Sequence, residues 1–432
     1  MTSPRSIRLM LPMLTVPVAF QILVVFAGSI LFMACGKGIG NGDAGSSGTR
    51  PAFTSTQIID ATGDGTGNTL SVPYGIAVDM TSGDVYVTGF LSDNAFKITP
   101  GGTITEIIDV FGETGNGSCD LADRNNRKPL CESLAVAVDP ISGNVMVTGF
   151  ESWNVFEITP TGGCSTGGIP CTITEVMEQR SVSGPDTLKG PYDLDFDSSS
   201  NLYVSSAESN RSFRRSSVET VTVIIDQQGN EAGISLLVPH GIATDSMGNV
   251  YITGSGTGGD NVFRIANPGT CSSKGGGTPC TITVIIDGTG DGTGNLFADP
   301  HDIAVDSSGN VYVTGSTTNN AFKIEIDMLG TCSTTGTPCT ITEIIDASGD
   351  GTRPLNFARG IAVDANDNVY VAGSASHNVF WITPGGVITQ IINVEGDGTN
   401  SLTIPHDLAV DLSGNVYVTG AGTNNVFRIA VP

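Results

Sequence analysis

Residues 75–79, Gly75-Ile-Ala-Val-Asp79, run through a Ser-Gly turn into Val85-Tyr-Val-Thr-Gly89 and then Asn94-Ala-Phe96, and the chain repeats this phrase seven times. Aligned on the Asp that ends the first part, the copies fall at Asp79, Asp139, Asp197, Asp245, Asp306, Asp364 and Asp411, spaced by 60, 58, 48, 61, 58 and 47 residues. A period of this length is too long for an ankyrin or leucine-rich repeat and suits a four-stranded propeller blade. Each copy reads as four short strands rich in Val, Ile, Thr and aromatics, ending in runs such as Ile104-Thr-Glu-Ile-Ile-Asp109.

The invariant letters have structural readings. Asp opens a tight turn such as Asp306-Ser-Ser-Gly309-Asn310, where it can accept backbone N–H groups two or three residues on. A Phe recurs in every third strand, at Phe96, Phe156, Phe213, Phe263, Phe322, Phe380 and Phe427, as packing between neighbouring sheets requires. The last copy stops at Asn425-Val-Phe-Arg-Ile429 without a fourth strand, and the missing strand stands at the other end as Ser55-Thr-Gln-Ile-Ile-Asp60. Pairing the two closes the ring and leaves no free edge. The expected fold is all-β: a seven-bladed propeller over 53–432, monomeric, with the N-terminal strand in blade seven.

The phrase resembles the NHL-type repeat of bacterial propellers over essentially residues 53 to 432. That family spans scaffolds, binding modules and a few lyases, so the resemblance implies a fold rather than one activity.

Residues 1–35 read as a secretory signal. Arg5 and Arg8 precede an apolar stretch from Leu9 to Ala34 that ends at Phe32-Met-Ala-Cys35-Gly36. The end resembles a bacterial lipobox, which implies lipidation of Cys35; the run is also long enough for an uncleaved signal anchor, though Pro12, Pro17 and Gln21 interrupt it. Residues 36–52, rich in Gly and Ser, read as a flexible tether. Both alternatives put the ring outside the cytoplasm, at the cell envelope.

Eight further cysteines form close sequence pairs: Cys119 with Cys131, Cys164 with Cys171, Cys271 with Cys280 and Cys332 with Cys339. Local disulfides stapling extended loops are their expected use in an oxidising compartment, and pairs in separate blades do not suit a shared zinc centre. A net charge of −24 with only 19 basic residues excludes the basic footprint that nucleic-acid binding needs.

Two features are candidates for divalent cations. The interblade loops Asp60-Ala-Thr-Gly-Asp64-Gly-Thr-Gly-Asn68, Asp287–Asn295 and Asp346–Gly351 suit either calcium or a Gly-rich turn, and they lack the third-position carboxylate and the Glu of an EF-hand. The second feature lies five residues before the landmark Asp. That slot holds His240, His301 and His406 in three blades, and Tyr74, Leu134, Tyr192 and Arg359 in the others. First strands of a propeller begin at the channel mouth, so these side chains should converge there, with Asp302, Asp407 and Asp193 in the adjoining slot as partners to orient the imidazoles. The histidines resemble the channel histidines of streptogramin B lyase and peptidyl-hydroxyglycine amidating lyase. That resemblance implies that His240, His301 and His406 bind a divalent metal (zinc, calcium or magnesium) or act as general base in an elimination; the other reading is descent of all three from one ancestral repeat.

Blade three departs from the others, with Ser205-Ser206 in place of Thr-Gly, and with Arg211, Arg214 and Arg215 around its Phe, either a contact patch or solvated arginines. No Ser-His-Asp triad, phosphate loop or haem motif is present. The residues favour a lipid-anchored binding or scaffolding module for a protein, peptide or glycan, and leave a metal-dependent lyase as the alternative.

Overall fold

The computed structural model describes residues 53–431, apart from 114–118, 120–128, 160–170, 180–186, 231, 257–258, 272–279, 328–331 and 335–337. The signal and tether expectations, Cys35 and Cys164 all fall outside the described residues. Strands β1 to β28, numbered in chain order, form seven antiparallel four-stranded sheets. The first strand of each blade is β2 (Pro73–Val78), β6 (Ser133–Val138), β10 (Pro191–Phe196), β14 (Pro239–Thr244), β18 (Pro300–Val305), β22 (Ala358–Val363) and β26 (Pro405–Val410). Each packs against the first strand of the next blade, and β26 packs against β2, so the ring is closed.

The closure is the one expected. Strand β1 (Thr54–Ile59) pairs antiparallel with β28 (Asn425–Ala430), matching Thr54 to Ala430 and Ser55 to Ile429. Main-chain hydrogen bonds between these two strands give blade seven its fourth strand and cover the edge that β28 would otherwise expose.

The repeated Asp and Phe do the work their spacing implied. Asp306 Oδ1 accepts the N–H groups of Ser308 and Asn310, both at 2.9 Å, and its Oδ2 accepts the Tyr312 hydroxyl at 3.0 Å. Tyr203, Tyr251, Tyr370 and Tyr417 bond the landmark Asp of their own blades at the same 3.0 Å. The seven third-strand Phe rings are fully buried. Phe322 packs with Tyr251 and Ile285 of the blade before it, so each ring seals the joint between two sheets.

The disulfides Cys119–Cys131, Cys271–Cys280 and Cys332–Cys339 are formed as paired in sequence, and Cys171 is disulfide-bonded. They point to an oxidising, extracytoplasmic setting. Among the described residues no helix is long and apolar enough to cross a membrane.

The innermost joints carry a second bond, set by the Thr of Val-Tyr-Val-Thr-Gly. Thr314 Oγ1 accepts Asp302 N–H at 3.1 Å and donates to the Arg359 carbonyl of the next blade at 2.7 Å. Thr88 does the same between Gly75 N–H and the Leu134 carbonyl, and Thr419 reaches the Tyr74 carbonyl across the closing joint. Replacing Thr314 by Val keeps the shape and leaves two buried backbone groups unpaired. Thr314→Val is expected to lose about 1–3 kcal/mol of unfolding free energy, read from the denaturant midpoint; a loss indistinguishable from zero would refute the role of the hydroxyl.

Candidate functional site

The channel mouth is made by a bulge repeated in all seven first strands. In blade one the register jumps from Pro73 opposite Gly89 to Ile76 opposite Val87, so Tyr74 and Gly75 together face Thr88 alone. Blades four, five and seven jump in the same way around His240, His301 and His406. A bulge re-aims side chains. Here it turns the slot residue and its neighbour to the channel together, so that Tyr192 with Asp193, His301 with Asp302 and His406 with Asp407 line a single cavity of about 40 Å³.

The chain enters each bulge through a residue in the left-handed region. Val72, Glu132, Val238, Asp299, Phe357 and Ile404 have φ between 40° and 57°, and glycine holds the position at Gly190. For Val and Ile this conformation is costly, and it persists only where surroundings enforce it. The preceding blade supplies that restraint: Asn424 Oδ1 accepts Val72 N–H at 2.7 Å, Asn210 Oδ1 accepts Val238 N–H at 2.8 Å, and Asn319 Oδ1 accepts Phe357 N–H at 2.6 Å. The fourth histidine has this task, because His377 Nδ1 accepts Ile404 N–H at 3.0 Å. Sequence reasoning assigned His377 nothing; its alignment with Asn319 and Asn424 in the turn before the third strand was the available signal.

The slot residues do converge, as expected, and they fill the channel with one another. The Tyr74 ring lies on His406 with centroids 3.4 Å apart, Tyr192 on His240 at 4.5 Å, His240 near His301 at 5.3 Å, and His301 near His406 at 5.4 Å. The Tyr74 and Tyr192 hydroxyls are 2.6 Å apart, and the Tyr192 hydroxyl lies 3.2 Å from His301 Nε2. Arg359 Nη1 donates to His406 Nε2, which fixes the His406 proton on Nδ1. Burial, with the Arg359 charge second, holds His301 and His406 well below the usual imidazole range. Burial also lowers His240, against the opposing field of Asp299. All three rings are neutral at pH 7.

The adjoining carboxyls bond backbone amides. Asp302 accepts Ile303 N–H and, in the next blade, Ile361 N–H, each at 2.8 Å. Asp193 holds Leu194 and Ile242, and Asp407 holds Leu408 and Ile76, so the three stitch alternate joints of the ring. Burial raises them, with neighbouring carboxyls adding: Asp193 well above its normal range, Asp302 to about 8 and Asp407 to about 7.

A metal needs lone pairs on its ligands. Arg359 takes that of His406 Nε2 and sets a fixed positive charge beside it, and the Tyr192 hydroxyl faces that of His301 Nε2. Among the described residues no group of three or more His, Cys, Asp or Glu side chains is placed to hold an ion. The residues present do not fit a zinc, calcium or magnesium centre. The loop carboxylates are likewise engaged. Asp60 Oδ1 accepts the Thr62 N–H and hydroxyl, while Asp64 binds Thr66 and Asn68, and the loop at Asp287 and Asp291 repeats both. In blade three, Arg211 donates to the Ser209 carbonyl, Arg214 to Asn201, and Arg215 pairs with Glu219 at 3.5 Å.

The raised Asp302 sets a pH dependence. Its folded pKa lies above the unfolded value of about 4, so the stability it contributes is present below that value and is lost as pH rises toward 8. Asn at this position keeps an acceptor oxygen and does not titrate. The Tm of Asp302→Asn should therefore gain on that of the native chain by several degrees between pH 4 and pH 8; a difference that stays flat with pH would contradict the raised carboxyl.

Against known proteins, the profile of a beta-propeller repeat, SBBP, matches residues 225–261, 290–323, 351–380 and 388–428. No curated protein matches the chain. Among solved structures, a streptogramin B lyase is similar with a TM-score of 0.61 at 15% identity, over 88% of this chain and 98% of that one. Virginiamycin B lyase from Staphylococcus aureus is similar at 0.60 and 14% identity, over 88% and 100%, and hydrazine synthase of Kuenenia stuttgartiensis at 0.56 and 14%, over 84% and 96%. A catalytically inactive histidine-to-alanine variant of the Staphylococcus enzyme with quinupristin is also similar, at 0.59. At such identity the likeness shows the fold alone. The chain is a seven-bladed propeller, and four stretches of it match the SBBP beta-propeller repeat.

Proposed function

We propose that the protein is an extracytoplasmic binding or scaffolding module, held at the cell envelope by lipidation of Cys35 and carried away from the membrane on residues 36–52. The observation that supports this most is the filled channel. Tyr74, Tyr192, His301, Arg359 and His406 are all buried against one another, so the ring offers partners its faces rather than an open catalytic centre. Its ring is closed and its hairpins are disulfide-bonded, which suits a rigid surface exposed to an oxidising medium. A protein, peptide or glycan is the class of partner that a broad, acidic, monomeric face accommodates.

A lyase of the streptogramin B type is the second reading. It is favoured by the shared fold and by the three histidines at the mouth, and disfavoured by the guanidinium on His406 Nε2. Elimination at this site would need the channel layer to open first.

Cell fractionation with an alkyne-tagged fatty acid tests the anchor. The native chain should take up label and sediment with membranes, and Cys35→Ala should lose the label and leave the membrane fraction. A native chain that stays in the membrane unlabelled would indicate the signal anchor instead. Incubation with quinupristin tests the rest: intact quinupristin is expected, and ring opening that His406→Ala abolishes would replace the binding module with the lyase.

A further inference from the structure

Because strands alternate in direction, every blade turns the hairpin between its first two strands to the face opposite the channel mouth, and blades one to six add the hairpin between strands three and four. Six blades carry a large apolar side chain at these tips, each more than half exposed. They are Val387 in blade six, Leu412 in blade seven, and Met80, Ile141, Val218 and Met247 in blades one to four, six consecutive blades of the closed ring. One exposed apolar side chain on a protein surface is ordinary. One on each of six neighbouring blades, all on one face, forms a pattern.

The same tips are nearly free of charge, in a chain with 43 acidic residues. Their other exposed residues are mostly Ser, Thr, Gly and Pro, as in Met80-Thr-Ser82, Pro140-Ile-Ser142 and Pro384-Gly-Gly-Val387. The landmark aspartates beside them are tied to their own turns, Asp79 to Thr81 N–H and Asp411 to Ser413 N–H. Among the described residues, the exposed carboxylates of the tips are Glu219, paired with Arg215, and Glu325 and Asp327 of blade five. Blade five is also the one whose described residues put no exposed large apolar side chain there. The opposite face is acidic. Its interblade loops carry carboxylates in pairs, such as Asp60 with Asp64, Asp287 with Asp291 and Asp346 with Asp350, and the exposed Phe111, Leu296 and Val394 lie in this acidic band.

We propose that the tip face lies on a lipid bilayer of low net charge, with the six apolar side chains seated among the headgroups and the acidic channel-mouth face turned to the medium. Apolar side chains on a neutral polar face suit the boundary between headgroups and acyl chains, where burial of apolar area is favourable and no charge has to lose its water. Anionic lipid repels the acidic face, so charge selects which side meets the membrane. The chain also joins the ring on the tip side, at Phe53, and the 17 residues 36–52 separate Phe53 from Cys35. This contact rests on the envelope anchoring proposed above, and it leaves the acidic face to soluble partners.

The test uses the purified full-length chain on phosphatidylcholine vesicles, with Leu412→Trp as the tip probe and Leu296→Trp as the mouth probe, both at exposed positions. Quenching by brominated phosphatidylcholine, corrected for the native Trp153 and Trp381, should be at least about threefold stronger at the tip probe. Adding Met80→Glu and Ile141→Glu beside the tip probe should bring its quenching down to the level at the mouth. Equal quenching at both probes, in a chain that sediments with the vesicles, would overturn the contact and leave the anchor standing. Tip-selective quenching that survives in Cys35→Ala would keep the contact and remove the lipid anchor, and a chain that binds no vesicles would overturn both. A dimer in sedimentation velocity of the detergent-solubilised chain, dissociated by Leu412→Glu, would give the face to a second copy and overturn the lipid assignment.

Discussion

In five of the seven blades a hydroxyl of the second strand bonds across to the next blade, and on this bond the inner ring depends. A propeller has no hydrogen-bond ladder between blades, so its sheets are joined by apolar packing and by whatever polar groups reach across. Thr88, Thr253, Thr314 and Thr419 reach across at the narrowest radius, each accepting an N–H of its own bulge and donating to a carbonyl of the next. Ser205 takes the same place in blade three, donating to the His240 carbonyl. One side chain thereby sets the depth of the bulge and the spacing of the blades together. Glycine beside the slot lets the blades come this close, since a Cβ on Gly75 would lie 2.4 Å from the Leu134 carbonyl.

Much of the architecture was legible because it repeats. Seven copies of one phrase fixed the blade number, the displaced Ile-Ile-Asp run fixed the closure, and the invariant Asp and Phe are turn and packing residues as their chemistry implies. The site was legible only in part. Its location followed from the slot, since all three histidines reach the channel. Strict alternation along a strand would put neighbours on opposite faces, and nothing in the letters announces that Pro-His-Asp is bulged. The letters alone thus make Asp302 and Asp407 partners for imidazoles, whereas the bulge sends their oxygens to backbone amides of their own blade and the next.

Arg359 shows a related limit. In the sequence it is one of several residues that break a pattern of histidines, and its charge carries no sign of whether a carboxylate will meet it. The answer depends on blades six and seven lying side by side, where the guanidinium meets the lone pair of His406. A site that seats a permanent cation among neutral imidazoles repels what a three-histidine metal centre attracts.

The closing strand also gives the ring a polarity. Strands alternate in direction across a blade, and β1 is the fourth strand of blade seven, so it starts at the end where first strands finish. Phe53 thus leaves the ring beside the hairpin tips that carry Met80, Ile141 and Leu412, all exposed, and the slot residues open on the opposite side. Strand β1 therefore enters the ring from the tip side, and the side on which the chain joins the propeller is set by the direction of a single six-residue strand.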